Sequence, residues 1–189
     1  MSQAQNGASS TEAFALYGFE LRIPKTWRVE LNPKDTRDTC DVAFHTPKRN
    51  RIFVSWGSLE EAKKRFKTLE EHRDWTLSEL KKARGVKAIS ITSSGETRIC
   101  GHRALVTQVS ASLGGGIMAP PQPVREMGSA FFYCPEGGRY YVVHSQLRFP
   151  DEFANFREVF DSLLRSVKCH ATKDSPEGED RQAASIPST

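Results

Sequence analysis

Strands that come in runs, with helical stretches between them, predict an α+β domain: an antiparallel β-sheet with helices packed on both faces, an α-β-α sandwich. Three observations carry this expectation. Short segments alternate apolar and polar side chains with a period of two, as half-buried strands do. Two longer stretches place apolar residues at three- and four-residue spacing, which makes one buried helical face. Strands also follow one another through short Gly- and Pro-bearing turns instead of alternating singly with helices, which argues against a parallel sheet.

The elements follow in order. In the strand predicted over 15–24, Phe19, Leu21 and Ile23 alternate with Glu20 and Arg22, and Pro24 ends the ladder. Residues 27–31 repeat the alternation. Residues 41–45 and 52–56 give two more strands, joined by a basic turn holding Lys48, Arg49 and Arg51. Ser58-Leu59-Glu60-Glu61 then reads as a capping box, followed by Leu59, Ala62, Phe66 and Leu69 on one face. A second capping box, Thr68-Leu69-Glu70-Glu71, predicts that the helical stretch breaks near Lys67. Strands are expected again over 87–93, 96–100 and 104–110, then a flexible loop over 114–123 with its glycines and prolines. A hairpin of 129–134 and 139–146 turns at Pro135-Glu136-Gly137-Gly138. The closing helix, 151–167, carries Phe153, Phe156, Val159, Phe160, Leu163 and Leu164 at helical spacing. The expected core is Phe19, Ile23, Trp27, Phe66, Phe131, Val142, Phe156, Phe160 and Leu164, with Trp56 and Trp75 also inside.

Composition sets bounds on function. At 189 residues, with 38% hydrophobic and 26% charged residues, the chain suits one globular domain with a sizeable core. The expected layout is a disordered start over 1–12, a domain over 13–171 and a disordered tail over 172–189, because the ends have little to bury. No apolar run approaches the ~18 residues of a bilayer span. The polar start lacks an apolar signal core, so a cytoplasmic protein is expected. A net charge of +4 is too weak for a dedicated nucleic-acid binder.

Few residues offer chemistry. Cys134 ends a strand at a hairpin and Cys169-His170 follows the last helix; neighbouring elements usually pack together, so the two sulfurs are expected close to each other. Ordinary buried core cysteines are the plainest reading of Cys134 and Cys169, and a disulfide or thiol pair of the two is the favoured functional form. Metal ligation by Cys134, Cys169 and His170, helped by His144 or His45, ranks below both because no Cys-x-x-Cys spacing is present; neither a metal nor a cofactor is expected. Cys100-Gly101-His102 reads as a turn, since catalytic Cys/His pairs meet in space and not in sequence. Lys48, Arg49 and Arg51 form a candidate anion-binding loop, with a solvated surface as the plain alternative.

Tyr17-Gly18-Phe19-Glu20-Leu21-Arg22-Ile23-Pro24-Lys25-Thr26-Trp27, the turn Gly101-His102-Arg103-Ala104, and Arg139-Tyr140-Tyr141-Val142-Val143 followed by residues 160–167 together resemble the PsbP/DcrB-like superfamily over about 15–170. That group includes a nuclear import factor that binds the Ran GTPase. The pairing of Cys134 with Ser166-Val167-Lys168-Cys169-His170 is similar to an archaeal-type subset. The resemblance implies an α-β-α sandwich and a non-enzymatic binding or assembly module with a protein partner. The alternatives are a thiol- or metal-dependent protein using Cys134, Cys169 and His170, and a binder of anionic ligands through the basic loop.

Overall fold

Tyr17 and Gly18 both take positive φ, 51° and 78°, and so turn the chain back on itself in two residues. The result is a hairpin of β1 (Thr11–Leu16) and β2 (Phe19–Pro24), closed by the pair Leu16 and Phe19. The strand predicted over 15–24 is therefore the second arm of a hairpin, and Thr11 and Glu12 belong to its first arm. This computed structural model describes residues 10–47, 50–82, 86–113, 122–146 and 153–170. The expectations for the ends, for most of the 114–123 loop and for Lys48 and Arg49 lie outside these residues.

The main sheet is antiparallel and has seven strands in the order β3-β4-β5-β9-β8-β7-β6. They are β3 (Arg28–Leu31), β4 (Cys40–His45), β5 (Arg51–Ser58), β6 (Val86–Ile99), β7 (His102–Leu113), β8 (Gln122–Cys134) and β9 (Arg139–Gln146). The two strands expected over 87–93 and 96–100 are one long edge strand, β6, with a register shift between Ile91 and Ser93 absorbing the break.

Both capping boxes form. The Ser58 hydroxyl accepts from the Glu61 amide at 3.3 Å and starts α1 (Leu59–Arg65). The Thr68 hydroxyl accepts from the Glu71 amide at 3.1 Å and starts α2 (Leu69–Lys81). The closing helix is α3 (Phe153–Ser166). Among the described residues no helix is long and apolar enough to cross a membrane.

The helices cover opposite faces of the sheet, as the α-β-α expectation requires. On one face Leu69 of α2 packs with Leu105, Phe131 and Val142, and Leu77 packs with Val109 and Ala111. On the other, Phe160, Leu163 and Leu164 of α3 join Phe19, Leu21 and Ile23 of the hairpin over Val42, Val54, Trp56, Phe132 and Val143. Phe19, Phe132 and Tyr141 stack through this larger core, with centroids 5.3 and 5.1 Å from the Tyr141 ring. The buried Arg139 donates to the Tyr17 carbonyl at 2.6 Å and so fastens the hairpin turn to β9. Two aromatic expectations need correction. Trp27 is only half-buried, because it follows β2 and lies over the rim of the hairpin beside α3. Trp75 is exposed on α2 because its position on the helix turns away from the sheet and toward the Arg65 guanidinium, 4.6 Å from the ring centroid. The side chain of Phe156 falls outside the described residues.

Candidate metal centre

Three elements, β7, β8 and α3, each have one end near the same corner of the α3-covered face. Cys134 is the last residue of β8, and the tight turn at 135–138 follows it. His102 is the first residue of β7, and the register that pairs Ala104 with Phe132 brings it level with Cys134 on the neighbouring strand. Cys169 and His170 arrive from α3. After that helix the chain runs beside β2, where Glu20 and Lys168 exchange two backbone hydrogen bonds of 2.8 Å. The Tyr141 hydroxyl donates to the Cys169 carbonyl at 3.2 Å and fixes the next residue.

The side chains converge. One donor atom from each of His102, Cys134, Cys169 and His170 lies within 4.8 Å of every other. His170 Nδ1 stands 3.3 Å from Cys134 Sγ, 3.4 Å from Cys169 Sγ and 3.5 Å from His102 Nε2. A zinc tetrahedron with Zn–S of about 2.3 Å and Zn–N of about 2.05 Å has S···N edges of about 3.5 Å and N···N edges of about 3.3 Å. The three separations from His170 Nδ1 match those edges to within a few tenths of an ångström.

The surroundings suit thiolate and neutral imidazole. Cys134 and Cys169 are buried, and the Gly137 amide donates to Cys134 Sγ at 3.3 Å. Glycine suits position 137, since a Cβ would stand 3.0 Å from the Cys169 carbonyl oxygen and 3.2 Å from Cys134 Sγ, and these neighbours would have to yield by a few tenths of an ångström. Burial first, and then the facing His170, hold His102 below the usual histidine range, against the pull of Glu136 at 3.5 Å. His102 is thereby kept in the neutral form that binds metals. Cys169 is pushed up because its neighbours Cys100 and Cys134 crowd it with sulfur and because it is buried. A divalent ion between the sulfurs would remove that conflict, since coordination deprotonates a thiol outright.

No protein-family model matches the chain, and no curated protein matches it in sequence. Solved structures do match. The cyanobacterial PsbP (CyanoP) of Synechocystis aligns with a TM-score of 0.62 at 12% identity, over 90% of this chain and 98% of that one. The Saccharomyces cerevisiae Ran-binding protein Mog1p aligns with a TM-score of 0.61 at 10% identity, over 86% of this chain and 96% of that one. This chain has the PsbP/Mog1-like fold. Protein PA94 of Pseudomonas aeruginosa also aligns, with a TM-score of 0.51 at 11% identity, over 86% of this chain and 99% of that one. All three are bacterial or yeast proteins and lend no support to the archaeal-type likeness.

Within this PsbP/Mog1-like fold, the residues singled out from sequence have separate fates. Cys134, Cys169 and His170 meet, and all of the cysteines are free thiols, so Cys134 and Cys169 do not form a disulfide in this structure. The His170 ring reaches both sulfurs, so the two thiols share their corner with an imidazole. His102, set aside in the sequence as part of a turn, supplies the fourth donor. The other two histidines considered as helpers lie elsewhere. His45 pairs with Glu30 at 2.8 Å, and His144 stacks on Phe53 with centroids 4.8 Å apart. Of the basic loop, Arg51 is exposed at the start of β5.

Proposed function

We propose that this chain is a non-enzymatic binding module whose closing segment is clamped by one zinc ion held by His102, Cys134, Cys169 and His170. The observation that supports it is the convergence of four protein donors, each within 4.8 Å of the others, with His170 Nδ1 3.3, 3.4 and 3.5 Å from the other three. Four protein ligands complete the shell of a structural zinc site, whereas a catalytic site keeps one position for water or substrate. Two sulfurs and two imidazole nitrogens in a tetrahedron favour zinc over hard cations such as magnesium or calcium. The ion would tie the segment after α3 to the ends of β7 and β8, and so lock α3 and the β1–β2 hairpin over the large core.

The binding half of the proposal rests on the fold likeness. Mog1p is a Ran-binding protein, and a protein partner is proposed for this chain as well. A cytoplasmic setting is proposed with it, since a reducing compartment keeps cysteines available as ligands.

The test is thermal unfolding of the chelator-stripped chain during titration with zinc. A ligand that binds only the folded state raises the melting temperature. We expect the rise to saturate at one equivalent, and to vanish in His102→Ala and Cys134→Ser. An absent rise, or an equal rise in those variants, overturns the reading.

A further inference from the structure

Cys100 is a fifth soft donor beside the centre, and the proposed zinc shell does not use it. It occupies an unusual place for a cysteine. The β6–β7 hairpin closes at the pair Ile99 and His102, so its loop is only Cys100 and Gly101. Both have positive φ, 51° and 80°. A two-residue turn with both residues left-handed favours Asn-Gly, and a non-glycine residue there carries backbone strain. Local propensity thus argues against cysteine at this position, and such conflicts between sequence and backbone tend to mark functional sites.

The turn aims the thiol at the metal ligands. Cys100 Sγ lies 2.7 Å from the Val167 carbonyl oxygen, and its side chain is within hydrogen-bonding reach of Cys169. Cys100 is half-buried, whereas Cys134 and Cys169 are fully enclosed, so solvent and small solutes reach Cys100 first. The thiol that solvent reaches is the first that an oxidant meets.

We propose that Cys100 is an oxidant-sensing thiol that, on reaction with a hydroperoxide, forms a disulfide with Cys169 and releases the metal. This rests on the zinc reading of the same cluster. In the first step the Cys100 sulfur attacks the peroxide; the O–O bond breaks, the sulfur is oxidised to a sulfenic acid, and the peroxide is reduced to an alcohol, or to water for hydrogen peroxide. In the second step the Cys169 sulfur displaces the sulfenic oxygen. One S–S bond forms, and the oxygen leaves as water after taking up one proton from solvent. Two thiol sulfurs lose two electrons in total, and the peroxide gains them. Cys169 can then no longer act as a thiolate ligand, which leaves His102, Cys134 and His170 and an opened shell.

The experiment exposes the zinc-loaded chain to hydrogen peroxide, with a zinc-reporting dye to follow release and peptide mapping to locate the disulfide. Cys100→Asn removes the thiol and installs the residue that the turn prefers, so this variant should fold and bind one zinc. It is expected to release zinc at least about tenfold more slowly than the unaltered chain, because the accessible thiol is gone. The unaltered chain should yield a peptide joining Cys100 to Cys169. Release from Cys100→Asn at the unaltered rate, or a bond joining Cys134 to Cys169 with Cys100 left free, overturns the redox proposal and leaves the metal reading intact. An unaltered chain that takes up no zinc overturns the metal reading and with it the release, while peptide mapping of the peroxide-treated chain still separately decides whether Cys100 and Cys169 pair.

Discussion

His72 predicts a measurable acid sensitivity. It is 5% exposed on the sheet-facing side of α2, stacked on Phe66 at 4.4 Å and edge-on to Tyr140 at 4.7 Å. Its Nδ1 lies 3.2 Å from the Tyr133 hydroxyl. Among the described residues, the charge that acts on it is cationic, from Arg65. Burial first, and Arg65 second, push its pKa down from 6.5 to about 4. Between those values the unfolded chain carries the proton and the folded chain does not. The contribution is therefore complete above about pH 6.5 and is lost as pH falls toward 4. The gap of about 2.5 pH units, at about 1.4 kcal/mol each, gives about 3 kcal/mol across the window. The perturbation is His72→Phe, which keeps the ring stack and removes the titration. Losing the Tyr133 contact shifts its stability by about 1 kcal/mol at every pH and leaves the slope unaffected. Urea unfolding of both proteins from pH 7 to 4 is the assay. Near pH 5 the unaltered chain should lose up to about 1.4 kcal/mol per pH unit more than the variant does. Any acid sensitivity of the metal centre is common to both. Parallel pH profiles would refute the argument that burial keeps His72 neutral.

Three further outcomes follow from the same packing. Phe160→Ala should destabilise the chain by roughly 3–5 kcal/mol in chemical denaturation, the range for emptying a buried aromatic site; a near-neutral change would mean that α3 is not docked through this ring. Thr68→Ala removes the hydroxyl that accepts from the Glu71 amide and should cost about 1 kcal/mol, whereas substitution by Ser or Asp should restore the cap. Gly137→Ala leaves all four proposed ligand residues in place but sets a Cβ 3.2 Å from Cys134 Sγ, and it should weaken zinc binding by about 10–100-fold; unchanged affinity in a competition titration would show that the turn does not support the site.

Legibility in the sequence varied with burial and with separation along the chain. The alternation of Phe19, Leu21 and Ile23 and the two capping boxes rest on strong local chemistry, and each element formed where that chemistry put it. The first arm of the hairpin was hidden because β1 is mostly exposed and shows no apolar alternation, and because Tyr17 is an uncommon residue for a left-handed turn. The edge strand β6 read as two strands because its Ser, Thr and Gly residues face solvent and carry little pattern. Cys134, Cys169 and His170 could be associated from sequence, since the hairpin and the closing helix are consecutive elements. His102 could not, because only the β7–β8 register brings it level with Cys134. Extending that antiparallel pairing from Ala104 and Phe132 by two residues is the signal that would have found it.

Cobalt(II) titration of the metal-free chain tests the central claim most directly, because cobalt replaces zinc and reports both ligand type and geometry. The account predicts saturation at one ion per chain, with strong visible bands from tetrahedral cobalt and a sulfur-to-metal charge-transfer band in the near ultraviolet. Removing one thiolate, in Cys169→Ser, should weaken the charge transfer, and His102→Ala should open a position that added azide can occupy and perturb. Weak octahedral bands without charge transfer, or a spectrum that both substitutions leave unchanged, would contradict a metal centre at His102, Cys134, Cys169 and His170.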